Sequence, residues 1–207
     1  MILIIIGAIV FFFIPFIKII GMGLALIGII VIKSGDSFSK GAEGEALVSD
    51  ALEEFPDDWY IFNDMIVGNS QIDHIVICPK GVYTIETKNY RGTIYGNANE
   101  KEWLQVLGSN HKTSFYSPVK QGNKHSLELS KYLENSGLKT WINTIVIFPN
   151  PEVQLKVYSP KVNVICLDEL YSHMNAQRNV LNPGICNEIV DCLLKLVPQN
   201  LREDAIE

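Results

Sequence analysis

No acidic residue occurs before residue 34, and Lys18 is the only charge between Met1 and Ile32. A segment so poor in charge has no polar face to turn to water. No Lys or Arg precedes the run, and a secretory signal needs such a basic start, so a cleaved leader does not fit. CxxC spacing is missing too. Cys78, Cys166, Cys186 and Cys192 stand apart, each in an apolar context. That pattern excludes a zinc ribbon or a disulfide frame and reads as buried free thiols. A basic excess is also lacking, since the net charge is −6. A broad electrostatic nucleic-acid binder is therefore disfavoured. An enzyme whose metal ions neutralise phosphate locally is not. Repeats and low-complexity tracts are absent.

What is present begins with the apolar run itself. Residues 1–33 exceed the roughly 20 residues that one helical span needs. Two readings fit: one tilted helix with Lys18 snorkelling, or a hairpin of two short spans broken near Pro15, Lys18 and Gly21. Lys33 and Lys40 follow the run, and the positive-inside rule then places the rest of the chain in the cytoplasm. Residues 34–40 read as a polar, Gly-containing linker.

Beyond the linker the pattern alternates between helical and strand periods. In "KGAEGEALVSDALEEF", Gly44, Val48, Ala51, Leu52 and Phe55 fall on one helical stripe. Glu45 sits at the edge of that stripe, and Glu43 points away. "WYIFNDMIV" reads as a strand with a turn at Asn63-Asp64; "QIDHIVIC" and "GVYTIETK" read as two more strands of a meander. "GTIYGN" and "EWLQVL" extend the sheet as another hairpin. A helix opens at Ser117-Pro118 and closes before Gly137, with Leu127, Leu129 and Leu133 as its apolar positions. "WINTIVIFP" has the continuous apolar character of a doubly covered central strand. "VNVICLDELYSHM" passes from strand to helix near Asp168, and "NPGICNEIVDCLLKLV" is a last helix. The sum is an α/β domain with a mixed central sheet and helices on both faces.

The hairpin from Gln71 to Gly92 carries charge where charge is costly. Glu86 and Lys88 are two apart on a strand and project from one face, with Thr84. Asp73 starts the preceding strand, and an antiparallel hairpin returns it to their side. Two carboxylates beside a lysine suit a hard divalent cation, and the lysine is placed to position or activate a water. An isolated E-x-K on a strand is ordinarily a solvated ladder pair. Here Asp73 lies beside it, a helix ahead supplies Glu45, and a helix behind supplies Gln121 and, one turn on, His125. His74 faces the other side of its strand and reads as a core histidine. Tyr90 and Arg91 either touch a phosphate backbone or cover a sheet end.

"GAEGE" (41–45), "QIDHIVI" (71–77), "GVYTIETKNYRG" (81–92) and "SPVKQGNKH" (117–125) occur together and in order. In this the chain resembles the nuclease-related domain (NERD) family of the PD-(D/E)XK nuclease superfamily, over residues 41–150. The resemblance implies a restriction-endonuclease-like fold and a nuclease acting on nucleic acid, DNA foremost, with Mg²⁺ or Mn²⁺. It implies that Asp73 and Glu86 bind the metal and that Glu45 assists through water. Lys88 would act on the attacking water, and Gln121 would orient water or phosphate. Ile72 stands where the superfamily name has proline. Residues 151–207 carry no motif and are expected to complete the domain. A catalytically idle nuclease fold that binds nucleic acid or protein at the membrane is the alternative.

Overall fold

The computed structural model describes residues 40–109 and 111–198. The chain divides after Ala42 into two units, and the architecture below is that of the unit beginning at Glu43. The expected anchor over residues 1–33 and the linker up to Ser39 lie outside the described residues. Among those described, no helix is long and apolar enough to cross a membrane. Lys40, read as the last linker residue, is already helical.

Helix α1 covers residues 40–53 and buries Gly44, Val48 and Leu52, with Phe55 just past its end. Three antiparallel strands follow: β1 (Tyr60–Val67), β2 (Ser70–Cys78) and β3 (Gly81–Thr87). Then come β4 (Gly92–Asn97), β5 (Glu102–Leu107) and β6 (His111–Tyr116), helix α2 (Pro118–Asn135) and β7 (Ile142–Phe148). The chain continues through β8 (Val153–Tyr158), β9 (Asn163–Cys166), a 3₁₀ turn (Leu167–Glu169), α3 (Leu170–Asn175) and α4 (Pro183–Leu194).

The first sheet has the order β1-β2-β3-β7-β9, with β7 parallel to both β3 and β9. It is the mixed sheet that the patterning predicts. Helices α2 and α4 cover one face, where Leu129, Leu133, Ile189 and Leu193 meet Ile75, Ile77 and Val82. Helices α1 and α3 cover the other, where Val48, Leu52, Leu170 and Met174 meet Val76, Ile85 and Ile145. Each such side chain fully withdrawn from water contributes about 1.5–3 kcal/mol before entropy is set against it. Strand β3 is buried along its whole length. A polar group on it therefore needs a partner or a use.

Three expectations fail. The hairpin of β4 and β5 does not extend the first sheet; it belongs to a second one, ordered β6-β5-β4-β8. That sheet packs Ile94 and Trp103 against Val146 and Phe148. The turn at Asn63-Asp64 is not a turn either. Strand β1 runs through it, and the chain reverses at Gly68-Asn69, between the paired Val67 and Ser70. Gly68, at φ 59°, supplies the left-handed backbone that a two-residue hairpin loop needs. Lastly, Leu127 is 53% exposed. The buried row of α2 runs through Val119, Gly122, His125, Leu129 and Leu133 instead.

Candidate functional site

The pairing of β2 with β3 runs from Cys78 opposite Gly81 to His74 opposite Ile85, and stops there. One further step of this register sets Asp73 opposite Glu86. The step coincides with a change of phase. Ile72 and Ile75 share one apolar cluster, although strict alternation would put them on opposite faces. On β1, Phe62 and Met65 show the same shift around Asp64, whose φ is 55°. Asp64 and Asp73 thus mark a paired irregularity at which the hairpin of β1 and β2 leaves β3. The Thr87 N–H, at the margin of that opening, donates to Asp73 Oδ2 at 2.7 Å.

Glu86 is 1% exposed. Lys88 Nζ donates to its Oε1 at 2.5 Å. Its Oε2 lies 3.2 Å from His125 Nδ1, but the two are not aligned as a hydrogen bond. Both atoms are buried without a hydrogen-bond partner. Such orphaned groups are rare because each forfeits its hydration.

Two glycines bring the helices to this point. A Cβ on Gly122 would stand 2.5 Å from Thr144 Cγ2 and 3.7 Å from Glu86 Cβ. Only a bare Cα lets α2 lie this near β3 and β7, and it places His125 over Glu86. A Cβ on Gly44 would meet Asn89 Cβ at 2.6 Å. Here α1 approaches the segment after β3 and carries Glu45, half-buried, toward the carboxylates. A hydroxyl row, buried Thr84 to half-buried Ser126 to buried Thr144 with both distances 2.6 Å, ties β3, α2 and β7 together below the site.

The electrostatics follow from burial first and from neighbouring charge second. Burial, then the charge of Glu86, pushes the Asp73 carboxyl up to about 7. Burial and next Asp64 raise Glu45. For Lys88, burial alone would favour the neutral amine. The adjoining Glu86 carboxylate outweighs it and holds the group above its ordinary value. Buried carboxyls that resist ionisation beside one another mark a site where a further negative charge is unfavourable until a cation offsets it.

The remaining candidates divide. Gln121 is half-buried in the first turn of α2, and its side chain hydrogen-bonds none of Glu45, Asp73, Glu86 or Lys88. His74 is a core histidine: Nδ1 meets Asn63 Oδ1 at 2.8 Å and Nε2 meets Thr87 Oγ1 at 3.3 Å. Tyr90 lies edge-on to Phe115 at 4.6 Å and covers the second sheet. Arg91 is exposed. The cysteines are free; Cys78, Cys186 and Cys192 are buried and Cys166 half-buried. Among the described residues, the one set of three potential ligands within 4.8 Å is Cys166, Asp168 and Glu169. Its Glu169 carboxylate already accepts the Cys166 N–H at 2.8 Å as a helix cap. Glu45, Asp73 and Glu86 do not close to that distance as a trio. The residue that sequence reasoning missed is Asp64, whose carboxylate accepts from Gln71 Nε2. Its only signal in the sequence is an acid inside a strand pattern, which equally suits a turn.

Burial lowers His74 to about 4. Between its unfolded value of 6.5 and 4, the unfolded chain binds a proton that the folded chain refuses. Stability from this group therefore falls as pH drops through that window. Asp73 acts in the opposite sense, since its raised carboxyl keeps a proton between 3.8 and about 7 and so favours the fold at the acidic end. Thermal unfolding of wild type against His74→Gln isolates the first effect. Wild type should lose stability relative to the variant as pH is lowered from 6.5 toward 4; a flat difference would contradict it.

A family model described as "Nuclease-related domain" matches residues 40–149. An uncharacterized protein of Bacillus anthracis is 40% identical over 92 residues, which is 42% of this chain and 43% of that protein. The chain thus spans less than half the length of this curated relative. Among solved structures, Pyrococcus furiosus SfsA in complex with Ca²⁺ aligns at 19% identity with a TM-score of 0.28, covering 76% of this chain and 54% of that one. A likeness that distant carries no argument about chemistry.

Proposed function

The chain belongs to the nuclease-related domain family, its function is nuclease-related, and from that premise we propose that it is a metal-dependent nuclease hydrolysing DNA phosphodiester bonds. The observation that carries the reading is Glu86 Oε2, a carboxylate oxygen buried without a hydrogen-bond partner on the residue that the register sets opposite Asp73. Lys88 pairs only the other oxygen, and a buried carboxylate oxygen left without a hydrogen bond is costly unless a further donor or a cation completes it. The Asp73 carboxyl, pushed up to about 7 by burial and then by the charge of Glu86, fits the same requirement. Hard oxygen donors suit Mg²⁺ or Mn²⁺.

Asp73 and Glu86 would hold the ion, with Glu45 assisting through water. When bound, it would supply Lewis-acid stabilisation of charge on the phosphoryl group. The chain's own residues do the rest. Glu86 divides its oxygens: Oε1 takes Lys88, and Oε2, 3.2 Å from His125 Nδ1, takes no hydrogen bond. Lys88, held protonated by Glu86, acts as a donor that fixes the attacking water or a phosphoryl oxygen rather than as a free base. His125 closes the inner side of Glu86 and keeps solvent out. Gln121, at the start of α2, would orient phosphate or water. The apolar run 1–33 would anchor the enzyme at the membrane, with Lys33 and Lys40 setting the domain in the cytoplasm.

An idle nuclease fold is favoured by one fact, the net charge of −6. The purified full chain, incubated with supercoiled plasmid, separates the two readings. Nicking with Mg²⁺ or Mn²⁺ that stops on adding chelator is the expected result. Metal binding with no cleavage under any of these conditions supports the idle fold.

A further inference from the structure

The second sheet has one covered face and one open one. Ile94 and Trp103 point inward. The register sets the opposite face: Tyr95 lies between Leu104 of β5 and Lys156 of β8, Tyr158 opposite Asn97, and Tyr116 opposite Glu102. The open face therefore carries Tyr95, Tyr116 and Tyr158, which are 42%, 48% and 63% exposed. Its charged residues are Lys112, Lys156 and Glu102, all exposed. Two bases against one acid is a local reversal of sign on a chain of net charge −6. Tyr95 and Tyr158 are diagonal neighbours on adjacent parallel strands, about 7–8 Å apart by strand geometry. Lys156 Nζ stands 5.4 Å from the centre of the Tyr95 ring.

Exposed rings on an open sheet face, with Lys156 beside Tyr95 and Tyr158 and Lys112 on β6, match what an unpaired nucleic-acid strand offers: a π-face on every base and a phosphate between bases. A duplex hides its base faces in its own stack, and a protein interface core is depleted of charge, whereas here Lys156 stands beside the rings and only half-buried Leu104 and Val106 add apolar surface. We propose that the open face of the second sheet is a stacking platform for single-stranded nucleic acid, with bases on Tyr95 and Tyr158 and phosphates held by Lys156 and Lys112. A base arriving at Tyr95 displaces the Lys156 ammonium from the ring toward the adjoining phosphate. The choice of ligand rests on the nuclease reading above; the placement of the surface does not.

The test is fluorescence anisotropy of labelled oligo(dT), oligo(U) and a DNA duplex, with the full chain in mild detergent and excess chelator so that nothing is cut. Wild type should hold the single strands more tightly than the duplex. Tyr95→Ala and Tyr158→Ala should each weaken single-strand binding on the order of tenfold. Tyr95→Phe should retain it, because the ring and not the hydroxyl is used. Lys156→Gln should flatten the salt dependence. These side chains are exposed, so unchanged thermal unfolding of the variants shows that the fold is kept. Binding by Tyr95→Ala/Tyr158→Ala equal to wild type overturns the platform. So does the double variant losing binding to anionic phospholipid vesicles, measured in parallel by co-sedimentation, while its single-strand binding is unchanged, which would make the face a membrane contact. Because binding is read without metal, its failure is distinct from failure of the nuclease reading, which shows as absent cleavage while the oligonucleotide is still bound.

Discussion

Asp73→Ala should lose Mn²⁺ binding and, with it, plasmid cleavage. Asp73 is one of two anionic groups facing each other across the opening between β2 and β3, and in the proposed site it is a direct ligand. Replacing groups that merely support a ligand typically costs about 10–100-fold in metal affinity, so removing a ligand should cost at least about a hundredfold. The fold should survive. Burial and Glu86 push the Asp73 carboxyl up, so its ionised form is disfavoured without a cation. What the variant loses structurally is the acceptor of the Thr87 N–H, about 1–3 kcal/mol if that group stays dry. Calorimetric titration with Mn²⁺ and thermal unfolding separate the two effects. Wild-type Mn²⁺ affinity in a well-folded Asp73→Ala would remove Asp73 from the site.

Lys88→Ala should show the complementary pattern. An ammonium repels a cation, and Lys88 occupies Glu86 Oε1, so its removal should leave Mn²⁺ affinity unchanged or make it tighter. Cleavage at saturating metal should nevertheless fall by about a hundredfold or more, the scale of a positioned proton-donating group. Lys88→Arg keeps the charge but presents a planar fork in place of a compact ammonium, and should restore little of the rate. Normal cleavage by Lys88→Ala would reduce Glu86 and Lys88 to an ordinary strand pair.

Much of this arrangement could be read from local periodicity. Glu86 and Lys88 share a face because strands repeat every two residues, and the turn at Pro79-Lys80 returns Asp73 to Glu86 by register alone. The wheel of α1 likewise put Glu45 at the margin and Glu43 in solvent. What escaped was non-local. "GTIYGN" and "EWLQVL" look like any hairpin, and nothing within them says which sheet they join. Strand β6 is exposed save for half-buried Phe115, so "HKTSFY" lacks the apolar alternation that flags a strand. Asp64 was read as a turn because acids favour turns. The structure uses its left-handed backbone inside a continuous strand, opposite Asp73. Leu127 followed the helical period loosely, but α2 turns the Gly122–His125–Leu129 row inward, since only Gly122 permits the close approach at Thr144.

The most direct measurement is an anomalous difference map from crystals of the full chain soaked in Mn²⁺. The account predicts one strong peak between β2 and β3, about 2–2.6 Å from an Asp73 oxygen and from Glu86 Oε2, with Glu45 reaching it through water. A map whose only peak lies elsewhere, at Cys166, Asp168 and Glu169 for example, or a site between Asp73 and Glu86 still empty at saturating Mn²⁺, would contradict it.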